Sequence, residues 1–242
     1  MPQTVLVTGA NGGIGTHLVK RLLAEGWNVS GVDISLDHLQ ETCAANPDRM
    51  LALTADMREP NQLQEAVDAT VTKFGGIDAL VNNAGKWTIG QFDLTSPDDW
   101  RQDIDINFVG PLLLTQMVLP ILFGRGGGKI VSVTSDSGRV GEPFVAVYSG
   151  AKAGLAGFSR SLAKEVGKRG VNVNCVSLST TVTEAARETY SAEQLEKMVA
   201  RYPMRRLGTP ADAIGMIMFL LGDEATWITG QTFSVNGGYA IL

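Results

Sequence analysis

The stretch TVLVTGANGGIG, residues 4–15, decides the fold of this chain. Its β-branched run at residues 4–8 is typical of a buried strand, and the apolar spacing after it predicts a helix over residues 14–26. Three glycines between them would allow a sharp turn and close approach of a ligand to the backbone: Gly9, Gly13 and Gly15. The first N–H groups of the helix would then face that ligand, which is how a pyrophosphate is bound. No Gly-Lys-Ser/Thr follows, so the loop predicts a dinucleotide site rather than a nucleoside-triphosphate site.

Strand-like and helix-like segments alternate along the rest of the chain. Further strands are expected at 28–33, 51–56, 77–83, 129–135, 171–177 and 232–236, with helices near 60–74, from 96, around 148 and near 210–222. This alternation predicts one α/β domain over residues 1–242, a doubly wound, mostly parallel seven-stranded sheet of the Rossmann-like type with helices on both faces. Ligands of such sheets bind beyond the carboxyl ends of the strands. The side chains expected on that rim are Thr8, Asp33, Asp56, Asn82, Ser135 and Ser177.

Composition restricts the possible partners. The net charge of −5 provides no basic face for nucleic acid or anionic lipid. Cys43 and Cys175 have no CxxC spacing and no neighbouring histidine cluster, which predicts a reducing, cytoplasmic location and no metal site. His17 and His38 are expected to be structural. We expect neither a signal peptide nor a membrane-spanning run.

Asp33 ends the second predicted strand and indicates the cofactor. A carboxylate at this point can accept hydrogen bonds from the adenosine ribose and would repel a 2′-phosphate. The glycine loop contains no Arg or Lys, so the sequence favours NAD over NADP. The alternative is that Asp33 only caps the next helix.

Tyr148 and Lys152, in VYSGAK, lie four residues apart and would share one face of a helix. They could be a surface pair, or a phenol held beside an ammonium group so that it can exchange a proton.

Taken together, TGANGGIG, NNAG (82–85), Asn107, Ser135 and YSGAK resemble the short-chain dehydrogenase/reductase family over essentially the whole chain. The resemblance implies a catalytic set of Asn107, Ser135, Tyr148 and Lys152. With the loop and strand-end residues it implies a cofactor-binding set: Gly9, Asn11, Gly13, Ile14, Gly15, Asp33, Ile34, Asp56, Met57, Asn83, Ala84, Gly85, Tyr148, Lys152, Thr181 and Thr183. It also implies a homotetramer, with the Tyr148 helix and the last strand at interfaces.

The residue types suit proton transfer to or from a substrate oxygen. A free phenol has a pKa near 10, and we expect Lys152 and an oxidised nicotinamide to lower the pKa of Tyr148. Ser135 would stabilise charge on the same oxygen. Pro111 follows Asn107 by four residues and lacks an N–H, so either it frees the Asn107 carbonyl or it only kinks the helix.

One stretch departs from the family pattern. Leu178-Ser179 stands where the family usually has Pro-Gly, so the loop backbone is expected to differ there. Thr181 and Thr183 still align with the positions that contact the nicotinamide in the family. The following segment, 184–206, is expected to be a substrate lid. Its candidate pocket residues, each equally compatible with ordinary helix packing, are Tyr190, Met198, Tyr202 and Met204. Arg139 could meet a polar substrate end, or remain solvated or paired with Glu142.

The sequence therefore predicts an oxidoreductase acting between NAD(H) and a secondary alcohol or ketone, including a cyclic alcohol or a hydroxyacyl-CoA thioester. The alternatives are a 3-oxoacyl (carrier-protein or CoA) reductase and a non-catalytic dinucleotide-sensing regulator.

Overall fold

The predicted sheet is confirmed, and all seven of its strands are parallel. The computed structural model describes residues 2–242, apart from the side chains at positions 184, 185 and 189. The strands are β1 Thr4–Thr8, β2 Asn28–Asp33, β3 Met50–Thr54, β4 Ala79–Asn82, β5 Gly128–Ser135, β6 Val171–Leu178 and β7 Thr232–Val235. Their order is β3-β2-β1-β4-β5-β6-β7. The chain reverses its direction of winding between β1 and β4, and a crevice is expected at that point.

Ten α-helices connect the strands: α1 Gly13–Ala24, α2 Gln40–Ala45, α3 Pro60–Phe74, α4 Pro97–Ile104, α5 Gly110–Gly124, α6 Ser137–Val140, α7 Ala146–Val166, α8 Glu184–Thr189, α9 Ala192–Val199 and α10 Pro210–Leu221. Ser96 caps α4 through a capping box with Asp99, as the SPDD spacing predicts. The short helices α2 and α6 were not predicted, because neither is long enough to show a helical period.

Two hydrophobic cores lie on opposite faces of the sheet. Alternate residues of each strand point to opposite faces, so Val5 and Val7 join one core while Leu6 joins the other. The helices α1 and α10 cover the first face, and α3, α5 and α7 cover the second. Both faces are buried, which explains why the strands are continuous apolar runs.

The helix around Asn107 is continuous and contains a π-helical segment, Asp105–Val109, between α4 and α5. The Gly110 N–H donates to the carbonyl of Asp105, five residues earlier. This distortion immediately precedes Pro111, which cannot donate to Asn107. The proline therefore accompanies a local π-bulge, a feature that often marks functional sites.

The combined helix Pro97–Gly124 is long and apolar enough to cross a membrane by length and composition. The expectation that no apolar run approaches the length of a membrane span was wrong. The helix packs against α3, α7 and the sheet, and it contains the buried polar residues Asp103 and Asn107. We therefore interpret it as a core helix of the α/β layer.

Candidate active site

A cavity of about 800 Å³ lies beyond the carboxyl ends of the strands. It is lined by every predicted cofactor or catalytic residue except Gly15 and Asn107. Three of the predicted rim residues, Thr8, Asn82 and Ser177, are buried and do not line it. Thr8 instead accepts hydrogen bonds from the N–H groups of Asn83 and Ala84, and so holds the NNAG segment against β1.

The glycine loop requires its glycines. Gly9 has φ of +62°, and a Cβ on Gly15 would lie 2.0 Å from the Gly9 carbonyl oxygen. A Cβ on Gly13 would lie 2.6 Å from the Thr183 Cβ, so this loop and the segment after β6 are in close contact at this point. The glycine loop and the α1 N-terminus fit the diphosphate of a dinucleotide. Gly15 packs the turn rather than lining the cavity.

Asp33 is half-buried in the cavity wall. Its two carboxylate oxygens accept from the backbone N–H groups of Asn11 and Ile34, each at 2.8 Å. A carboxylate offers about four acceptor positions, so capacity remains for ribose hydroxyls. Asp33 does not cap a helix, because the next helix, α2, begins only at Gln40.

His38 lines the cavity at the end that holds Asp33. The expectation that it is purely structural was therefore wrong. Its backbone N–H donates to the side-chain oxygen of Asn11 at 2.8 Å. It lies in a turn rather than a helix, which the sequence pattern did not indicate. His17, in contrast, contacts the carbonyl of Gly13 at 2.8 Å and does not line the cavity.

Asn107 lies behind the cavity wall and is fully buried. Its side-chain amide donates to the carbonyls of Lys86 and Asp103 at 2.6 and 2.8 Å. An added Cβ on Gly85 would lie 3.1 Å from the Asn107 Oδ1 and 3.5 Å from the Lys152 Nζ. The absence of a side chain at Gly85 thus leaves room for Asn107 and Lys152 to converge.

Ser135 ends β5, and its hydroxyl is oriented by Ser137. The Ser137 backbone N–H donates to the Ser135 Oγ at 3.2 Å, and the two hydroxyl oxygens are 2.9 Å apart. Ser137 also lines the cavity. Sequence reasoning missed it, although its position two residues after Ser135 was the available signal.

The expectation that Lys152 lowers the pKa of Tyr148 is not met in this structure. Burial raises the pKa of the Tyr148 phenol to about 12, a hydrogen bond with Ser135 lowers it in part, and the charge of Asp103 raises it. The Lys152 Nζ is 5.7 Å from the centre of the Tyr148 ring and donates instead to the Val133 carbonyl at 3.0 Å. The phenol is therefore protonated at neutral pH, as a proton donor must be.

Lys152 is almost completely buried, with 3% of its surface exposed. Burial lowers the pKa of its ammonium group to about 8, because a charge is poorly solvated there. The nearest thiol, Cys175, opposes this shift only weakly.

The other half of the cavity has an apolar and aromatic wall. Its larger side chains are Trp87, Ile89, Phe144, Tyr190 and Met198. The Trp87 ring meets the Tyr148 ring edge-on, with centroids 6.4 Å apart. Phe144 has φ of +70°, a conformation that a bulky residue rarely adopts and that often accompanies function. Its carbonyl accepts from the Gly90 N–H at 2.9 Å, which joins the two loops forming this wall.

Of the four predicted lid residues, only Tyr190 and Met198 line the cavity. Tyr202 is buried and its hydroxyl accepts from the Thr180 N–H, whereas Met204 is exposed. For Tyr202 the alternative of ordinary packing is the one observed, and Met204 lies in an exposed turn outside the cavity.

The suggestion that Arg139 meets the substrate was also wrong, as was its pairing with Glu142. Arg139 donates to the Ser234 hydroxyl and does not line the cavity. Glu142 does line it, and pairs in a bidentate manner with Arg201 at 2.9 and 3.1 Å. Burial opposes ionisation of Glu142, but the hydrogen bonds of Arg201 and Tyr239 and the charge of Arg201 together hold the carboxyl pKa below its usual value. Ser179 keeps a negative φ, so the segment after β6 does not need the usual glycine.

Within the described part of the chain, no three His, Cys, Asp or Glu side chains are grouped to hold a metal ion. The site residues that sequence reasoning did not name include Lys86, Trp87 and Ser137. Lys86 and Trp87 follow NNAG directly, so their place beside it was the available signal.

Comparison with known proteins gives consistent similarities over the full chain. The family described as Enoyl-(Acyl carrier protein) reductase matches residues 9–240. A 3-oxoacyl-(acyl-carrier-protein) reductase from Synechocystis sp. is 36% identical, with 99% of this chain and 98% of the relative covered. The same enzyme from Thermotoga maritima is 34% identical at the same coverage. A solved structure described as a short-chain dehydrogenase/reductase, glucose/ribitol dehydrogenase, from Brucella melitensis superposes with a TM-score of 0.93 at 29% identity, covering 99% of this chain and 97% of that one.

Proposed function

This chain belongs to the short-chain dehydrogenase/reductase family, and from that premise we propose that it reduces a ketone to a secondary alcohol, and the reverse, with NAD(H). The observation that carries the proposal is the convergence of Ser135, Tyr148 and Lys152 on one cavity, at the end opposite Asp33. A protein that only sensed a dinucleotide would not need a phenol and a serine hydroxyl beside each other. The regulator is therefore the weaker alternative.

In the proposed mechanism a bound nicotinamide supplies or accepts the hydride, and this chain handles the proton. The Ser135 hydroxyl, oriented by Ser137, donates a hydrogen bond to the substrate oxygen and stabilises charge that develops there. Tyr148, whose phenol is protonated in this structure, gives its proton to the same oxygen. The buried Lys152 ammonium, with a pKa near 8, can then restore that proton.

The substrate class that we propose first is a 3-oxoacyl thioester. Two of the relatives carry names for this activity, and the apolar wall of Trp87, Ile89, Phe144 and Met198 suits an acyl chain. We also propose cyclic secondary alcohols and hydroxyacyl-CoA thioesters as substrates, because they too have large apolar parts. The segment 184–206 forms part of this wall through Tyr190 and Met198, which supports its role as a substrate lid.

A second candidate, reduction of a carbon–carbon double bond in an enoyl thioester, follows from the description of the matched family. Such a reaction would place the hydride on the β-carbon of the thioester, whereas ketone reduction would place it on the carbon that bears the reacting oxygen. A serine hydroxyl and a protonated phenol at one point suit a carbonyl oxygen better.

A panel assay tests the proposed function. The purified chain is offered NADH and NADPH separately with 3-oxobutyryl-CoA, crotonyl-CoA and a set of cyclic ketones, while absorbance of the reduced nicotinamide is followed. We expect oxidation of NADH with the 3-oxoacyl thioester or a ketone. Turnover confined to crotonyl-CoA would support the second candidate instead.

Asp33→Ala is expected to weaken NADH binding by about tenfold and to reduce discrimination against NADPH, since it removes a ribose acceptor and a negative charge facing the phosphate. The basic residues among the described cavity-lining residues are Lys86 and Lys152 at the reacting end and His38 near Asp33. Binding is measured by nicotinamide fluorescence. His38→Ala is the matched control, because it removes the neighbouring imidazole and leaves the carboxylate. Tighter binding of NADPH than NADH by the unaltered chain would refute the NAD assignment.

Gly13→Ala is expected to weaken binding of either dinucleotide by about tenfold or more, since its methyl group would collide with Thr183 and force the loop and the segment after β6 apart. Gly12→Ala is the matched control in the same loop. Its Cβ would meet nothing nearer than the Gly9 carbonyl at 3.4 Å, and Gly12 has an ordinary φ of −77°. Titration calorimetry with NADH compares the two. Equal affinities would show that the Gly13–Thr183 approach does not shape the nucleotide site.

The proposal includes a homotetramer in the cytoplasm. The Tyr148 helix and the last strand would form its interfaces. Cys43 and Cys175 are both free thiols, as a reducing compartment maintains.

A further inference from the structure

A buried carboxyl group beside the site has no part in the mechanism proposed above. Asp103, on α4, has 1% of its surface exposed. Acidic side chains are rarely buried without specific partners. Its carboxylate accepts two hydrogen bonds from one residue, the Thr88 backbone N–H and the Thr88 hydroxyl, each at 3.2 Å.

These bonds form one half of a two-point attachment. One helical turn later, Asn107 donates to the Lys86 carbonyl at 2.6 Å and accepts from the Lys86 N–H at 3.3 Å. Asn107 also donates to the Asp103 carbonyl at 2.8 Å. The segment Lys86–Thr88 is thus attached to the long helix at both ends. Trp87 lies between the two attachments, with its ring against Tyr148.

We infer that Asp103 is a positioning residue of the active site: by holding Thr88 it fixes Trp87 against Tyr148 and so sets the substrate wall beside the proton donor. The inference rests on the proposed function only where it treats Tyr148 as that donor. The position of Trp87 is a property of the chain alone.

The Asp103 side chain, when charged, also acts on the phenol electrostatically. Its charge raises the pKa of Tyr148, after burial and against the hydrogen bond of Ser135. Burial and the charge of Asp99 raise the pKa of Asp103. The hydrogen bonds from Thr88 and the charge of Lys86 lower it. A neutral residue at position 103 should therefore lower the pKa of Tyr148.

Four variants separate the attachment from the charge. Asp103→Leu removes both bonds and the charge, whereas Asp103→Asn keeps the shape and can bond Thr88 through its oxygen and amide. Thr88→Val loses the hydroxyl bond, and Thr88→Ser retains it. Each is made with and without Trp87→Phe, so that the fluorescence of Trp87 is obtained by difference from that of the other tryptophans.

Acrylamide quenching of Trp87 needs no turnover and is therefore readable even if the proposed function fails. We expect Asp103→Leu and Thr88→Val to increase quenching, and Asp103→Asn and Thr88→Ser to restore it. With the best ketone, Asp103→Leu should raise KM by about tenfold, and more than it lowers kcat. Asp103→Asn should raise KM less, and should lower the pKa of the Tyr148 phenol, read from phenolate absorbance by difference from Tyr148→Phe.

Trp87 quenching that is unchanged in both Asp103→Leu and Thr88→Val would overturn the inference. So would an Asp103→Asn variant that matches Asp103→Leu in quenching and KM. If Asp103→Leu does not fold, Thr88→Val still tests the inference, because it deletes only one hydrogen bond.

Discussion

Tyr148→Phe is expected to lower kcat for ketone reduction by about a thousandfold or more while leaving the dissociation constant for NADH within about threefold. The substitution removes only the hydroxyl that donates the proton. The ring, its contact with Trp87 and the surrounding packing are retained. Stopped-flow kinetics give kcat, and fluorescence titration gives the affinity for NADH.

Ser137→Ala is the informative comparison for this variant. It removes the hydroxyl that orients Ser135 but leaves the proton donor, so its loss of kcat should be smaller. Turnover of Tyr148→Phe near that of the unaltered chain would remove Tyr148 from the reaction and with it the proposed proton path.

Lys152→Met is expected to lower kcat by about a hundredfold or more, because the buried ammonium is the group that can return a proton to Tyr148. Methionine has a similar length and fills the same buried space without a charge. Asp33→Ala serves as the matched comparison, since it should raise KM for NADH with little effect on kcat. A Lys152→Met variant with unchanged kcat would contradict the assignment.

The same substitution should change how stability depends on pH. Lys152 titrates near pH 8 in the fold, against an ordinary value of 10.5, so between these values the unfolded chain binds more protons. Stability should therefore rise with pH over this range, by on the order of 3 kcal/mol from this group. Tyr148 acts oppositely above pH 10, where its raised pKa keeps it protonated in the fold while the unfolded chain ionises. Urea unfolding between pH 7 and pH 10 should show the rise in the unaltered chain and lack it in Lys152→Met.

The parallel sheet could be predicted from sequence because its strands are buried on both faces. Continuous β-branched runs such as residues 4–8 result from that burial, and the glycines at 9, 13 and 15 mark the turn that follows. The residues that motifs place at strand ends, among them Asp33 and Ser135, do line the cavity. Their roles in binding and chemistry stay predictions until the variants above are measured.

What the sequence did not reveal depends on contacts between distant segments. Asp103 and Thr88 meet across 15 residues, and nothing in either local pattern indicates that pair. The expected lowering of the Tyr148 pKa by Lys152 is not seen without a bound nicotinamide, because the i,i+4 spacing shows which face Lys152 shares, but neither its distance nor the burial of the phenol. The alternatives for Arg139 were a substrate contact, solvation or a pair with Glu142, and none of them named its partner Ser234, which lies 95 residues away.

The position of a deuterium atom tests the central claim most directly. The chain is incubated with NADH that carries deuterium on the transferred face of the nicotinamide, together with 3-oxobutyryl-CoA or the best ketone from the panel, and the product is analysed by mass spectrometry. We predict one deuterium on the carbon that bears the new hydroxyl group, formed by the unaltered chain and not by Tyr148→Phe. Label recovered only in a saturated acyl chain when crotonyl-CoA is supplied, or label in the alcohol at equal rates with Tyr148→Phe, would contradict the account.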